Sequence, residues 1–234
     1  MPRLEAAVHA DTDPPSGLAG PHGAVADVEA VPEDRARESG MRLVVGISGS
    51  TGAIYGIRLL EVLRSVPGVE THLVISAPGK RTLVEETDYG VQDVEGLAHR
   101  AYDNRDIGAA LASGSFKTGG MIIAPCSIRT AAAVANSTGE GLLCRAADVT
   151  LKEGRPLIVV VRETPLHAGH LRQLLQLAEI GAVIFPPMPA FYHRPQTLDD
   201  LINHTVGRIL DRVGIPHGLS REWTGTSRPD REAL

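Results

Sequence analysis

Apolar runs and amphipathic segments alternate along the chain between residues 41 and 213. The runs are short and rich in Val, Ile and Leu, as is typical of strands buried on both faces of a sheet. Between them, apolar residues recur three and four positions apart, which indicates helices with one buried face. The pattern predicts strands at 42–47, 71–75, 121–124, 157–161 and 182–185, and helices at 53–65, 79–86, 127–135, 142–152, 168–180 and 198–213.

Five buried strands separated by helices predict a doubly wound, Rossmann-like α/β fold, in which a mainly parallel sheet carries helices on both faces. Aromatic residues make up only 3% of the chain, so the core must consist of Val, Ile, Leu and Ala. Ligands of such sheets bind beyond the carboxyl ends of the strands. Residues 87–119 show no regular pattern, and we predict no strand there.

The two ends of the chain differ from the domain predicted at 41–216. Residues 1–40 are rich in Pro, Gly, Ala and acidic residues and lack apolar periodicity, which predicts a disordered leader. Residues 217–234 are polar and lack apolar periodicity, which predicts a C-terminal tail. The formal net charge of −5 resides in the leader, because its eight acidic residues outnumber its three basic ones and the remainder is neutral. A neutral domain without a long apolar run indicates neither a nucleic acid nor a membrane as partner.

Neither the cysteines nor the histidines suggest a metal site. Cys126 and Cys144 lack any metal-ligand or CxxC spacing and are interpreted as reduced thiols of a cytoplasmic protein, with Cys126 a packed residue rather than a nucleophile. His167 and His170 are three residues apart but belong to no HExxH motif. We therefore expect no metal.

The first predicted strand runs into a segment of glycines and hydroxyl side chains. Gly46, Gly49 and Gly52 let a ligand approach the backbone closely, the hydroxyl side chains between them are hydrogen-bond donors, among them Ser48, and the next helix adds unpaired N–H groups at its start. Glycines spaced three apart match neither GxGxxG nor a P-loop. The segment favours a phosphorylated ligand of some kind over a plain tight turn.

Polar residues follow the other strands as well. Ser127 is predicted to cap the next helix, and the same helix start suits an anion. Arg162 and Glu163 form either a structural ion pair or a phosphate ligand beside an acid–base group. Arg145 and Lys152 share one helix face, where a solvated surface is the ordinary explanation. An aromatic residue in the loop after the last strand either stacks on a planar ligand or closes the core.

Five segments together resemble the UbiX-type flavin prenyltransferases, a family with a flavoprotein fold: GISGSTGAIYG at 46–56, APCSIRT at 124–130, RAADVTLKEGRPL at 145–157, RETPL at 162–166 and PAFYH at 189–193. The resemblance runs in order from about residue 41 to residue 215. It implies a metal-independent transferase that joins the dimethylallyl group of dimethylallyl phosphate to N5 and C6 of reduced FMN. It also implies that prenylated FMN passes to a UbiD-type decarboxylase, and that the protein is a large homo-oligomer, such as a dodecamer, with sites at subunit contacts.

The resemblance further implies a role for individual residues. FMN is expected at Gly49, Ser50, Thr51, Ser76, Ser127, Ile128, Arg129, Thr130 and Arg162. The prenyl phosphate is expected at Tyr192 and Arg208, with Arg145, Lys152 and Glu163 around its phosphate group. Catalytic roles are expected for Glu163, Ser50, Lys152 and Arg145. Clustered cations would stabilise the departing phosphate without a metal, whereas the proton that Glu163 moves is either one for the phosphate or the one on flavin C6.

Two other functions remain open. One is an FMN-dependent cysteine or peptide decarboxylase of the related flavoprotein fold. That group uses a histidine near the first helix and an Asn-rich motif after a later strand, but the helix predicted at 53–65 has no histidine and the segment 186–189 has no asparagine. The other is a non-catalytic FMN carrier subunit of a hydroxyarylic acid decarboxylase.

Overall fold

The computed structural model of the chain describes residues 40–220. Nearly all of the predicted leader and residues 221–234 of the predicted tail lie outside the described residues. The described part contains six strands: β1 (Met41–Ile47), β2 (Val69–Ile75), β3 (Arg100–Asp103), β4 (Gly120–Cys126), β5 (Leu157–Val161) and β6 (Ala182–Ile184). Its α-helices are α1 (Ala53–Arg64), α2 (Ala77–Glu86), α3 (Val91–Glu95), α4 (Ile128–Ala135), α5 (Gly141–Lys152), α6 (Ala168–Glu179) and α7 (Leu198–Asp211).

The six strands form one sheet in the order β3-β2-β1-β4-β5-β6. Every neighbouring pair is parallel, and in the register Val45 of β1 lies opposite Leu73 of β2 and Ile122 of β4. The strand order reverses between β1 and β4, where ligands of doubly wound sheets bind. The predicted α/β fold is therefore confirmed.

Successive side chains of each strand point to opposite faces of the sheet, so the apolar core consists of two clusters, one on each face. Leu43, Val45 and Ile47 of β1 belong to a buried cluster that also contains apolar residues of α1, α2 and α7. Val44 belongs to a second cluster, with residues of α4, α5 and α6. Helices thus cover both faces, as the sequence predicts, because successive strand residues point in opposite directions.

The prediction that residues 87–119 contain no strand is wrong. This stretch holds α3, the edge strand β3 and a short 3₁₀ helix at Ala110–Ala112. In β3 only Tyr102 is buried, so the strand lacks the apolar run that marks the inner strands. An edge strand pairs on one side only, and a single buried residue leaves no pattern that sequence reasoning can detect.

Most predicted helix ends agree with the structure to within two residues. The helix predicted from residue 79 begins at Ala77, because Ser76 caps it by accepting a hydrogen bond from Gly79 N–H and because Pro78 lies in the first turn, where proline is tolerated. No helix within residues 40–220 is long and apolar enough to cross a membrane.

Candidate functional site

The side chain of Ser48 joins the carboxyl ends of β1 and β4. Its hydroxyl donates to Pro125 O at 3.1 Å and accepts from Ser127 N–H at 2.7 Å, while Ser48 N–H also donates to Pro125 O at 3.1 Å. The residue is 1% exposed. The sequence predicts this hydroxyl as a ligand donor, but it donates to a backbone carbonyl instead and is a structural group.

The ends of β2 and β5 are joined to the same edge by backbone hydrogen bonds. Ser76 N–H donates to Ile47 O at 3.0 Å, and Arg162 N–H donates to Cys126 O at 3.0 Å. The first residues after β1, β2, β4 and β5 therefore lie along one edge of the sheet. This edge carries the residues that the resemblance implies for FMN.

The glycine-rich segment after β1 bends at Gly52, whose φ of +98° lies in the left-handed region that favours glycine. The Oε2 atom of Glu86 accepts hydrogen bonds from Gly52 N–H at 2.8 Å and from Ala53 N–H at 3.3 Å. A carboxylate of the protein thus occupies the start of α1, where the sequence predicts free N–H groups for a phosphate. Sequence reasoning missed Glu86, since it lies 34 residues from Gly52.

Ser50 has a hydroxyl that is left for a ligand. Its Oγ atom is buried and has no hydrogen-bond partner among the described residues. Next to it, a Cβ atom added at Gly49 would lie 2.3 Å from Pro78 Cβ, so the backbone packs directly against α2 at this point. A buried hydroxyl without a partner is costly and usually has a functional explanation.

The start of α4 offers an anion site at the same edge of the sheet as Ser50. The Oγ atom of Ser127 accepts from Thr130 N–H at 3.2 Å and donates to Thr130 Oγ1 at 3.0 Å, so the predicted helix cap is confirmed. The N–H groups of Ile128 and Arg129 belong to the first turn and have no acceptor within the helix. Arg129 is exposed and adds a positive charge at this end.

Arg162 and Glu163 follow β5 at this edge. Burial raises the pKa of Tyr55 in α1, and the positive charge of Arg162 partly offsets that rise, which places the guanidinium near the start of α1. Glu163 is half-buried, and its Oε1 atom accepts from Thr164 N–H at 3.1 Å. Within residues 40–220, neither side chain forms an ion pair, so the structural ion pair considered from sequence is not formed.

A cavity of about 890 Å³ opens beyond the carboxyl end of β6 and brings together two residues predicted to bind substrate, Tyr192 and Arg208. The Tyr192 hydroxyl lies 2.7 Å from His204 Nε2, and Arg208 Nη1 lies 2.9 Å from Asp211 Oδ2. Phe185, at the end of β6, contributes an apolar wall. Because β5 and β6 are neighbours in the sheet, the cavity and Arg162 border the same edge.

His204 is held as the neutral partner of Tyr192. Its ring stacks on that of His193, with centroids 4.4 Å apart and planes inclined by 5°. Burial lowers the pKa of His204, and the positive charges of His193 and Arg208 lower it further, while Asp211 opposes them. Sequence reasoning missed His204 because a lone histidine on an amphipathic helix has no distinguishing pattern.

Two further residues predicted for the site lie on α5. Arg145, in the middle of α5, donates to Ala112 O at 3.2 Å and pairs with Asp148 at 2.8 Å. Lys152, at the end of α5, pairs with Glu153. Because α5 returns the chain to the start of β5, Lys152 lies near the amino ends of the strands. A single chain therefore does not bring Lys152 to the edge that carries Arg162.

The cysteines and the histidine pair have structural roles. Cys126 is fully buried, and burial raises the pKa of its thiol and that of Cys144. His167 caps α6, since its Nδ1 atom accepts from Gly169 N–H at 3.0 Å and from His170 N–H at 3.3 Å. The described part of the chain holds no group of three or more His, Cys, Asp or Glu side chains that could bind a metal.

Comparison with protein families and curated proteins gives concordant results. The Flavoprotein family model matches residues 32–210. The chain is 59% identical over 186 residues to the flavin prenyltransferase UbiX of Escherichia coli K12, a match that covers 79% of this chain and 98% of that protein.

Solved structures with the same fold include two at high sequence identity. A dodecameric FMN-dependent UbiX-like decarboxylase from Escherichia coli O157:H7 is 48% identical, with a TM-score of 0.78 over 79% of this chain and 100% of the other. AnUbiX (PadA1), in complex with FMN and dimethylallyl pyrophosphate, is 45% identical, with a TM-score of 0.78 over 80% of this chain and 99% of the other.

Proposed function

Because this chain belongs to the UbiX family of flavin prenyltransferases, we propose that it transfers the dimethylallyl group of dimethylallyl phosphate to reduced FMN and releases prenylated FMN. The observation that carries the proposal is the placement of two different binding surfaces on one edge of the sheet. One surface offers Ser50 and the start of α4, and the other is the cavity that contains Arg208. The reaction needs two phosphate esters held side by side.

The residues at the first surface fit FMN. The unpartnered hydroxyl of Ser50 is buried where a ligand would supply its missing hydrogen bond, and Gly49 lets the backbone of this segment pack directly against Pro78 of α2. The first turn of α4, at 128–130, suits a phosphate because of its free N–H groups and positive end. We assign Thr51, Ser76 and Arg162 to the same ligand. Reduced FMN supplies the electron-rich nitrogen and carbon atoms that accept the prenyl group.

The cavity at the end of β6 fits the prenyl phosphate. Arg208 offers a guanidinium to the phosphate, where it stabilises the negative charge that develops as the allylic C–O bond breaks. Phe185, Met188 and Ile215 give the cavity an apolar lining. Burying five prenyl carbons against such a surface contributes about 4 kcal/mol of binding. Tyr192 closes the cavity on the side of the loop after β6.

Glu163 is the acid–base group of this proposal. Its side chain is half-buried beside Arg162, and one carboxylate oxygen is held by Thr164 N–H. As a carboxylate, Glu163 can remove the proton on flavin C6; as a carboxylic acid, it can donate its proton to the departing phosphate. We therefore expect Glu163→Gln to bind FMN normally but to slow formation of the prenylated product.

The proposed role of Arg145 and Lys152 depends on assembly of several copies of the chain. Both lie on α5, where Arg145 contacts Ala112 O and Asp148 and where Lys152 pairs with Glu153. We infer that a second copy of the chain brings them to the phosphate of the prenyl donor, so that the site is complete only in a homo-oligomer. The dodecameric relative supports this inference.

The product of this reaction is a modified cofactor, which has a use only in another enzyme. We propose that prenylated FMN passes to a UbiD-type decarboxylase. The test is transfer of the flavin from the loaded protein to such an apo-enzyme, read as a gain of decarboxylation.

The central experiment is anaerobic incubation of the protein with reduced FMN and the prenyl donor, supplied in parallel as phosphate and diphosphate, followed by mass spectrometry of the flavin. A five-carbon adduct is expected. Glu163→Gln should slow its formation, whereas the matched control Glu179→Gln, at the exposed end of α6, should not. Recovery of unmodified FMN would favour the carrier function, and loss of carbon dioxide from a cysteine peptide would favour the decarboxylase function.

A further inference from the structure

We propose that His217 is a positioning residue that fixes Arg208 in the cavity by holding Asp211, the carboxylate that binds the guanidinium. The inference rests on the proposed function, because it assumes that Arg208 binds the phosphate of the prenyl donor. It concerns the segment after α7. The first residues of this segment pack against α7 and do not extend away from it.

Asp211 is shared between two partners at the edge of the cavity. Its Oδ2 atom lies 2.9 Å from Arg208 Nη1, and its Oδ1 atom lies 2.9 Å from His217 Nε2. The side chains of Arg208 and Asp211 are 56% and 42% exposed, whereas that of His217 is 5% exposed. Of these three side chains, His217 is therefore the one that burial holds in place.

The hydrogen bonds of His217 select one form of the imidazole ring. Its Nδ1 atom accepts from Leu219 N–H at 3.2 Å, so this nitrogen carries no proton. The proton of a neutral ring must then be on Nε2, which donates to Asp211. Both nitrogens have a defined partner, and the ring orientation is fixed in consequence.

The helix face beneath His217 is shaped for the ring. A Cβ atom added at Gly207 would lie 2.7 Å from His217 Cε1 and 3.0 Å from Ser220 Oγ. Glycine lowers the stability of a helix interior, and its presence here lets the imidazole approach α7 closely enough to reach Asp211. The close contact with His217 therefore explains why α7 has a glycine at position 207, although glycine lowers the stability of the helix.

The consequence concerns the geometry of Arg208. A half-exposed arginine samples many rotamers, and holding it in one costs conformational entropy at each binding event. With Asp211 fixed by His217, the guanidinium is oriented before the phosphate arrives. Without His217, Asp211 and Arg208 can rotate until the phosphate itself orients the guanidinium. The prenyl donor should therefore bind more weakly, whereas the bound complex, in which Arg208 again contacts the phosphate, should react at a similar rate.

The experiment compares three substitutions of His217 in the full-length protein. His217→Gln keeps an acceptor for Leu219 N–H and a donor for Asp211, whereas His217→Ala and His217→Leu remove both. We expect the latter two to raise KM for dimethylallyl phosphate roughly five- to tenfold, with kcat within about twofold of wild type, and His217→Gln to restore KM. Arg212→Gln, at the exposed end of the same helix, is the matched control.

A fourth variant perturbs the contact from the other side. Gly207→Ala favours the helix but displaces the imidazole, so it should raise KM in the same way even if the His217 variants fold poorly. A wild-type KM in Gly207→Ala and His217→Leu would overturn the proposal, as would a defect in His217→Gln as large as that in His217→Leu. The proposal would also be overturned if the variants lost as much affinity for FMN as for dimethylallyl phosphate, because such a general loss indicates a merely structural role.

The two proposals can fail separately. If the wild-type protein makes no five-carbon adduct, the proposed function fails, and the positioning of Arg208 is judged by calorimetric binding of dimethylallyl phosphate to the protein with oxidised FMN. Unchanged affinity across the variants then overturns the role of His217, and a five- to tenfold loss that His217→Gln restores supports it.

Discussion

Removing the hydroxyl of Ser50 should make the flavin-free protein more stable and its complex with FMN weaker. In the structure Ser50 Oγ is buried without a partner among the described residues. In the unfolded chain the same hydroxyl is hydrated. The Ser50→Ala variant therefore abolishes a desolvation penalty that the wild type bears only while the site is empty.

The size of both effects follows from this one hydroxyl. An unsatisfied buried donor costs about 1–3 kcal/mol, so we expect Ser50→Ala to raise the free energy of unfolding of the flavin-free protein by about 1 kcal/mol. In a domain of this size that change corresponds to a rise in Tm of about 2–4 °C. Loss of one hydrogen bond to FMN should weaken binding roughly two- to tenfold.

Ser48 provides a matched control two residues away. Its hydroxyl is fully used, because it donates to Pro125 O and accepts from Ser127 N–H. Ser48→Ala leaves the N–H of Ser127 without its acceptor, so the same substitution should lower the free energy of unfolding by about 1–3 kcal/mol. The two variants are thus expected to shift stability in opposite directions.

The assay is denaturant unfolding of the flavin-free variants at one fixed protein concentration, followed by calorimetric titration with FMN. The concentration must be fixed because assembly contributes to apparent stability. If Ser50→Ala destabilises the protein as much as Ser48→Ala does, or if it binds FMN as tightly as wild type, the reasoning from the unpartnered hydroxyl is refuted.

Three further predictions concern assembly, packing and pH. If subunits share sites, co-assembly of the impaired Lys152→Ala and Glu163→Gln chains should raise adduct formation to about a quarter of the wild-type level, because random pairing leaves both residues intact at that share of sites. Gly56→Ala should lower the free energy of unfolding by about 1–3 kcal/mol in denaturant titrations, since the added Cβ would lie 2.3 Å from Ala124 O. Burial lowers the pKa of His72 in the folded state, so protonation favours the unfolded chain. Stability should decline as pH falls below about 6.5, and less steeply in His72→Phe, in unfolding curves measured at several pH values.

The inner part of the fold could be predicted from sequence because each element there carries its own local pattern. The run at Leu157–Val161 is apolar throughout and β-branched from Ile158 onward, and its bounds are predicted to the residue. Ser127 is a favourable N-cap directly before an apolar helix, and it caps α4 as expected. The edge strand β3 was missed because Tyr102 alone is buried in it. Pattern-based prediction thus depends on how much of each element is buried.

The candidate site was only partly accessible to sequence reasoning. Strand ends are local features, so Ser50 and Arg162 could be placed on one edge once the strands were predicted. The contacts of Glu86 with α1 and of His217 with Asp211 could not be predicted, because each depends on how separate elements pack. For Lys152, even the fold of one chain is insufficient, since the role proposed for it at the phosphate requires a second copy of the chain.

The hydrogen bonds from Gly52 and Ala53 to Glu86 have a consequence for how a flavin enters. A glycine-rich loop is ordinarily flexible, and ordering it on binding would subtract from the affinity of the ligand. Here the side chain at the end of α2 already secures the loop in its left-handed turn. The loop of the proposed flavin site is therefore preorganised before the ligand arrives, and we expect association to be fast and nearly free of backbone rearrangement.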